Sequence, residues 1–273
     1  MEDLYQYGQE GSNLRKAQLR MVEILSEVDR ICRKYDLRYW IDYGTLLGAV
    51  RHQGHCIPWD DDMDLCMPSS DYHKFLTVAT EEINSQFFIQ TRETDPESQN
   101  RIGNIRVRDL NSLYIFGCED FSVNDKKGIY IDIFEMVPTP KVSFMLFKTI
   151  AKRISFAYNF FNFNPKLNLK NIICYFWYPI QYKFFKSIWY FLPKDKNILT
   201  PTPEEYGYSS FLNVDDLYPL QEINFEGLKV FAPRDIEKRL RGVYGDYMQI
   251  PTPENRRVHV KYIVCDLANA EAK

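Results

Sequence analysis

The densest group of chemically active side chains in this sequence is a run of aspartates. Asp60, Asp61, Asp62 and Asp64 fall within five residues, and like charges so close together disfavour one another's ionisation. The run over 62–67 alternates polar and apolar residues, as a strand with one wet face does. On such a strand Asp62 and Asp64 point to the same face, because strand side chains alternate with a period of two. Two such carboxylates form the oxygen site that Mg²⁺ or Mn²⁺ prefers, with positions left open for phosphate oxygens. The cluster therefore predicts metal-assisted phosphate chemistry.

A solvated acidic turn is the plain alternative, and the flanking residues help to decide. Apolar residues stand on both sides of the cluster, in Ile57-Pro58-Trp59 and in Leu65-Cys66-Met67. A solvated surface turn does not need apolar residues on both sides, so these flanking residues favour a partly buried position for the carboxylates.

A second candidate lies upstream, where Gly44 and Thr45 follow a strand candidate over 38–43 and open a short helical segment over 46–51. A glycine at such a turn lets backbone N–H groups approach a phosphate, and the helix N-terminus favours negative charge. An ordinary turn could have the same two residues. The order of strand, Gly-Thr, short helix and acidic strand is more specific.

A third carboxylate, Asp132, lies in a strand candidate over 128–134 whose other residues are mostly apolar. An unpaired charge is costly to bury, so an aspartate in such a run points to a function. A metal ligand and a general base toward an incoming hydroxyl both fit Asp132.

Hydrophobic periodicity supplies the elements that would position these residues. Apolar side chains recur at helical spacing over 13–36, with Ser12 or Asn13 as the N-cap. A further helix is expected near Tyr72, and further strands at 87–91, 101–108 and 113–116. Helices and strands mixed in this way predict an α/β or α+β fold with a mixed-sheet core.

Residues 141–193 differ in composition from the rest of the chain. They include no Asp or Glu, eight Lys or Arg, and many aromatic residues. We expect two helices, with a break near Asn164-Pro165. The aromatic side chains either pack as core helices or form an interfacial surface that meets anionic lipid.

This segment divides the remaining chain into 1–140, the expected catalytic core with the aspartate cluster and Asp132, and 194–273. The second part is expected to form a loop, a hairpin around Gly227, a helix over about 233–243 and a turn-rich tail. We expect it to complete the same domain as 1–140.

Composition and charge exclude some classes. The chain of 273 residues has a formal net charge of -3, and nucleic acid is therefore not expected as a partner. The N-terminal sequence does not resemble a secretory signal, and no apolar run reaches the length of a membrane span. The six cysteines show no paired spacing, which is typical of reduced thiols. We expect a cytoplasmic protein.

Several of these residues together resemble the LicD family. The likeness begins in the run from Tyr43-Gly44-Thr45 to Val50-Arg51-His52 and continues through Ile57-Pro58-Trp59-Asp60-Asp61-Asp62-Met63-Asp64. A second block is Ile131-Asp132-Ile133-Phe134, and a closing block includes the following residues: Phe225-Glu226-Gly227, Pro233, Tyr244-Gly245-Asp246-Tyr247, Pro251, Arg257 and His259. The blocks extend over about residues 14 to 260.

That resemblance implies a nucleotidyltransferase-like fold and transfer of phosphocholine from CDP-choline to a lipid-linked glycan precursor at the inner face of the membrane, with CMP leaving. Teichoic acid and lipopolysaccharide are the acceptors of the bacterial members. Magnesium, or manganese, would be held by Asp62, Asp64 and Asp132, which are also the implied catalytic residues.

The resemblance also implies the residues that bind the donor. Gly44 and Thr45 would bind its phosphates, Arg51 would neutralise the leaving CMP, and His259 would join the same site. The aromatic segment 141–193 could contact the membrane, and aromatic faces could hold the trimethylammonium of choline.

Other interpretations remain open from the sequence. A related CDP-ribitol or CDP-glycerol transferase would share every motif. A sugar-nucleotide glycosyltransferase usually places a nucleotide-binding unit before its acidic pair, and here the pair comes early. A non-catalytic binding protein would be expected to lose Asp62, Asp64 or Asp132. A zinc site at His52, His55 and Cys56 lacks an evident fourth ligand.

Overall fold

The computed structural model describes residues 10–98, 104–117, 124–160, 169–208 and 210–267. The helices of this part of the chain are α1 (Asn13–Lys34), α2 (Tyr43–Arg51), α3 (Ser69–Glu82), α4 (Phe144–Phe160), α5 (Leu169–Phe191), α6 (Val214–Leu217) and α7 (Ile236–Tyr244). The strands are β1 (Trp40–Ile41), β2 (Asp64–Pro68), β3 (Phe87–Gln90), β4 (Ile105–Asp109), β5 (Leu113–Phe116), β6 (Tyr130–Pro140), β7 (Lys194–Pro201), β8 (Leu212–Asn213), β9 (Gln221–Phe225), β10 (Leu228–Ala232) and β11 (Val260–Val264).

The long strand β6 is the centre of a seven-stranded mixed sheet. It pairs in parallel with β2 on one side, and antiparallel with β4 and then β7 on the other. The order of the main path is β1-β2-β6-β4-β3, and β8 joins at β7. The expected α+β fold with a mixed-sheet core is confirmed.

The two faces of this sheet bury different cores, because successive strand side chains point to opposite sides. Leu65, Val107 and Ile133 face the larger core, where they pack with α1 and α3. Cys66 and Phe134 face a smaller core that includes Trp40. Polar residues of β2, β4 and β6 share this second face, and they form the candidate site.

Helix α1 forms as its apolar spacing predicts. Ser12 caps it by accepting a hydrogen bond from the Arg15 N–H. Met21, Leu25 and Val28, one helical turn apart, are fully buried, and each buried side chain of this kind contributes about 1.5–3 kcal/mol.

Helices α4 and α5 stand between the paired strands β6 and β7. The N–H of Lys141 donates to the carbonyl of Pro193 where the pair leaves the sheet. Phe147 of α4 packs on Trp189 of α5 in a small core of their own. The expected pair of helices is confirmed, and the break expected near 164–165 lies outside the described residues.

Several element predictions need correction. The strand expected over 62–67 begins only at Asp64, so Asp62 belongs to the preceding loop. The strand expected over 38–43 shortens to Trp40–Ile41, because Asp42 caps α2 and the helix begins at Tyr43. The tail also holds a strand, β11, which pairs with β5; this pairing partner is distant in sequence and has no local signal.

The stretch after residue 193, expected as a loop, is instead strand β7, which pairs with β6. The other predicted elements are present in the structure. The hairpin around Gly227 is the pair β9 and β10. Part of the strand expected over 101–108 lies outside the described residues. Among the six cysteines, Cys118 also lies outside them. The other five cysteines are free thiols. Within the described ranges, every helix is too short or too polar to cross a membrane.

Candidate active site

Three polar residues lie in a row across the middle of the sheet. Asp64 of β2 is the register partner of Asp132 of β6, and Asp132 is in turn the partner of Arg106 on β4. The Arg106 Nε donates to Asp132 Oδ1 at 2.8 Å, and both side chains are buried. The row thus consists of two neighbouring carboxylates and one guanidinium beside them.

The loop before β2 adds three more carboxylates. Asp60, Asp61 and Asp62 each offer a ligand oxygen within 4.8 Å of the others, and among the described residues this is the group that could hold a metal ion. The predicted set of Asp62, Asp64 and Asp132 therefore overlaps this group only at Asp62.

Asp61 has a different task from its neighbours. Its carboxylate is 1% exposed and accepts the backbone N–H groups of His259 and Val260, the second at 2.6 Å. Its carbonyl oxygen accepts from the hydroxyl of Tyr114 at 2.6 Å. These bonds fasten the acidic loop to β5 and to the chain before β11. Asp61 is therefore an anchor, and Asp60 and Asp62 are the loop carboxylates that remain at the cleft.

A cleft of about 770 Å³ opens beside these carboxylates, a volume within the usual range for small-molecule sites. Asp60, Asp62 and Asp64 line it, and so does Arg239 of α7. Four aromatic residues are also part of the lining: Tyr43, Phe144, Phe211 and Tyr244. The cleft thus combines oxygen ligands, a cation and aromatic faces.

The electrostatics of the carboxylates fit a cation. Burial raises the pKa of Asp62 to about 7, and the charges of Asp61 and Asp132 add to this effect. Burial and neighbouring carboxylates, Asp62 first among them, also hold the pKa of Asp60 and Asp64 well above the usual range. A set of buried oxygen donors with too few positive partners fits Mg²⁺ or Mn²⁺, which bind through oxygen.

Gly44 lines the cleft directly against Asp60. A Cβ added at Gly44 would lie 2.5 Å from Asp60 Oδ2, closer than atoms approach without moving. The glycine is therefore required by the position of the carboxylate. It lies in the first turn of α2, and the approaching group in this structure is a side chain of the same site.

Thr45 is buried behind the cleft. Its hydroxyl accepts the backbone N–H of Asp64 at 2.8 Å, and it is not among the residues that line the cleft. In this position Thr45 fixes the start of β2, and with it the direction of the Asp64 side chain.

Arg51 and His259 lie outside the lining of the cleft. Arg51 is half-buried, and its Nη1 donates to the carbonyls of Tyr247 and Gln249 at 3.1 and 3.3 Å. Burial lowers its pKa from the ordinary value. The His259 ring stacks on Phe116, and its Nδ1 lies 3.2 Å from Asp61 Oδ1. Both residues support the loops that surround the site.

The suggested zinc ligands are engaged elsewhere. His52 stands edge-to-face against Trp59, and burial lowers its pKa to about 4. His55 Nδ1 lies 3.5 Å from Glu226 Oε2, and the N–H of Cys56 donates to the same carboxylate at 2.8 Å.

Two arginines of the site were missed by the sequence reasoning. Arg239 donates through Nε and Nη2 to the two carboxylate oxygens of Asp42, both at 2.8 Å, and both residues are buried. Arg106 is the second. Each arginine occupies a buried position within a helix or strand, and such a position needs a carboxylate partner. An arginine at an otherwise apolar position is therefore the signal that could have identified these two residues, although it would not have identified their carboxylate partners.

The fold and the cleft define a class, an α+β protein whose mixed sheet carries a carboxylate-rich cleft. The family model LicD/FKTN/FKRP, nucleotidyltransferase domain, matches residues 36–170. The lipopolysaccharide cholinephosphotransferase LicD of Haemophilus influenzae is 27% identical over 270 residues, covering 90% of this chain and 95% of that protein. Residues 36–170 thus match the nucleotidyltransferase domain of the LicD family, and similarity to a LicD protein extends over 90% of the chain.

Shorter matches come from two uncharacterized rickettsial proteins. One from Rickettsia typhi is 43% identical over 63 residues, covering 23% of this chain and 20% of that protein. One from Rickettsia prowazekii is 43% identical over 56 residues, covering 20% of this chain and 21% of its own.

Proposed function

We propose that this protein transfers phosphocholine from CDP-choline to a sugar hydroxyl of a cell-surface glycan precursor and releases CMP. The observation that carries the proposal is the cleft that Asp60, Asp62 and Asp64 line together with Arg239. The similarity to a lipopolysaccharide cholinephosphotransferase along nearly the whole chain supports the same reaction.

In this reaction the acceptor hydroxyl oxygen attacks the phosphorus next to choline, and the bond from that phosphorus to the CMP oxygen breaks. Mg²⁺ held by Asp62 and Asp64 would neutralise the diphosphate and polarise the phosphorus under attack. Asp60 reaches the cleft beside Gly44 and is the loop carboxylate available to the hydroxyl proton. Asp132, held by Arg106, orients the site from behind Asp64.

The walls of the cleft suit the two ends of the donor. Arg239, which Asp42 holds in place, lines the same cleft and would offer guanidinium N–H groups to the phosphate oxygens of the donor. The aromatic faces of Tyr43, Phe144, Phe211 and Tyr244 offer cation–π contacts to a trimethylammonium group. A neutral ribitol or glycerol head group would gain no cation–π attraction from such faces, which favours choline.

The acceptor in this proposal is a lipid-linked precursor of teichoic acid or lipopolysaccharide, met at the cytoplasmic face of the membrane. In this proposal the CDP-activated donor comes from the cytoplasm, and the bilayer presents the acceptor. Binding of nucleic acid has no part in it.

The test is CMP release by purified protein with Mg²⁺, measured for CDP-choline, CDP-ribitol and CDP-glycerol in the presence and absence of precursor. We expect release from CDP-choline that requires precursor and metal. Asp62→Asn and Asp64→Asn should abolish it, whereas Asp36→Asn, the same change at an exposed residue of a turn, should not. Release from CDP-ribitol or CDP-glycerol alone would overturn the choline assignment.

A further inference from the structure

The outer side of α5 carries a stripe of exposed apolar side chains. Its six members and their exposed fractions are Ile173 (62%), Phe176 (73%), Trp177 (59%), Ile180 (61%), Phe184 (60%) and Phe191 (81%). The steps of three, one, three, four and seven residues keep them on one helical face. At 1.5 Å per residue the stripe is about 27 Å long.

The opposite side of α5 is the one that packs on α4. Tyr178, Tyr182 and Trp189 contact aromatic rings of α4. The helix is therefore apolar on two sides, and the contacts with α4 use only one of them. Soluble proteins rarely expose a contiguous apolar surface of this kind without a binding partner.

Charge indicates what the partner is. Residues 141–193 carry eight basic and no acidic residues, so the rest of the chain has a formal charge of -11, against -3 for the whole. Lys183 is exposed at the margin of the stripe. An apolar stripe on a basic segment of an otherwise negative protein is attracted to an anionic surface in one orientation.

A bilayer surface satisfies both properties. Phe, Trp and Ile enter the boundary between headgroups and acyl chains, and lysines contact anionic headgroups. Two copies of this chain would instead bring two positive segments together, which is unfavourable. No described helix could span the membrane, so the helix would lie in the interface plane.

The stripe ends where the helical pair meets the cleft. Phe191 lies two residues after Trp189, which contacts Phe147, and Phe147 contacts Phe211 with ring centroids 5.1 Å apart. Phe211 and Phe144 line the cleft. A docked α5 would therefore hold the cleft at the membrane, within reach of a lipid-linked acceptor.

We propose that the stripe of α5 docks on an anionic bilayer and presents the cleft to an acceptor anchored there. The choice of acceptor rests on the proposed function, whereas docking itself does not require it.

The test is co-sedimentation of the full chain with phosphatidylcholine vesicles, with and without phosphatidylglycerol. We expect binding that needs phosphatidylglycerol and weakens with salt. Phe176→Ser/Phe184→Ser should bind at least about tenfold more weakly, because two large side chains no longer enter the interface. Leu19→Ser/Leu110→Ser, which alters exposed apolar residues of other elements, should bind as the wild type does. Lys183→Glu should reduce the preference for phosphatidylglycerol.

Circular dichroism of the variants and the oligomeric state of the wild type complete the test. Equal binding by folded stripe variants and wild type, or equal binding to neutral vesicles, would overturn the proposal. So would a wild-type dimer that the stripe variant converts to monomer, because the stripe would then be an interface between copies. If the protein does not bind vesicles but releases CMP in the presence of precursor, the docking proposal fails and the transferase proposal stands. If it binds vesicles but releases no CMP, the transferase proposal fails and the docking proposal stands.

Discussion

Asp64 and Asp132 are register partners on adjacent parallel strands, although 67 residues separate them in the sequence. Asp132 is held from its other side by Arg106. The pair therefore joins an open carboxylate at the cleft to a buried ion pair within the sheet. Asp64 therefore lines the cleft, and Asp132 lies behind Asp64 and holds its position in the sheet.

The ion pair of Asp132 and Arg106 should be visible in stability. We expect Asp132→Asn to lower the free energy of unfolding by about 1–3 kcal/mol, because the buried guanidinium loses a charged hydrogen-bond partner. Urea unfolding of the single variants and of Arg106→Gln/Asp132→Asn gives the coupling energy. The double variant should lose less than the sum of the singles. If the losses in free energy of unfolding of the two single variants add up to that of the double variant, Arg106 and Asp132 do not interact directly.

Gly44→Ala should reduce activity while leaving the fold intact. The added Cβ would lie 2.5 Å from Asp60 Oδ2, and a carboxylate at the end of a side chain can move aside. Displacement of a group in the cleft by about 1 Å can cost about a hundredfold in rate, so we expect a large fall in kcat/KM with little change in Tm. Gly117→Ala, where the nearest atom is 3.4 Å away, is the control. Equal kinetics for both variants would contradict the role given to Asp60.

The bidentate pair of Asp42 and Arg239 should depend on the shape of the guanidinium. Lysine keeps the charge but loses the fork, so Arg239→Lys should destabilise the protein by about 1–3 kcal/mol in urea unfolding. Arg241→Lys on the same helix is the matched control, because its partner Glu237 is exposed and such pairs contribute about 0–1 kcal/mol. A similar loss in both variants would contradict this prediction.

Glu226 should make stability depend on pH. Burial alone would raise its pKa, but hydrogen bonds from Arg15 and from the Cys56 N–H outweigh burial and lower the pKa from 4.5 to about 2. The folded state thus binds this proton less readily than the unfolded state. The stabilisation is complete above about pH 4.5 and is lost as the pH falls toward 2.

Glu226→Gln isolates that contribution. At pH 7 it should lower the free energy of unfolding by about 2 kcal/mol, because a charged hydrogen-bond pair is lost. The difference from wild type should shrink between pH 4.5 and pH 2. Glu237→Gln at an exposed position should change little at either pH. A deficit for Glu226→Gln that stays constant down to pH 2 would exclude Glu226 as the titrating group.

The sequence predicted those features of the fold that local patterns encode. The periodicity of α1, the hairpin at Gly227 and the helical pair after Lys141 are all local, and the structure contains them. Clustering along the chain also identified the acidic loop. Whether each carboxylate faces the cleft could not be predicted, because it depends on bonds to distant residues, such as that from Val260 to Asp61.

Long-range pairing explains the rest of the difference. Arg106 meets Asp132 through strand register, and Arg239 meets Asp42 across 197 residues of chain. The hydroxyl of Thr45 accepts a hydrogen bond from the backbone of Asp64, a contact that the sequence did not predict. Each of these contacts is fixed by tertiary packing, for which a single sequence offers no local signal.

The most direct test of the central claim follows the choline group itself. Purified protein with Mg²⁺ is given CDP-choline labelled in the methyl groups together with the lipid-linked precursor, and label on the precursor is measured beside released CMP. We expect one labelled phosphocholine on the precursor for each CMP, and neither product with Asp62→Asn or Asp64→Asn. CMP without label on the precursor, or labelled precursor formed equally by these variants, would contradict transfer at this cleft.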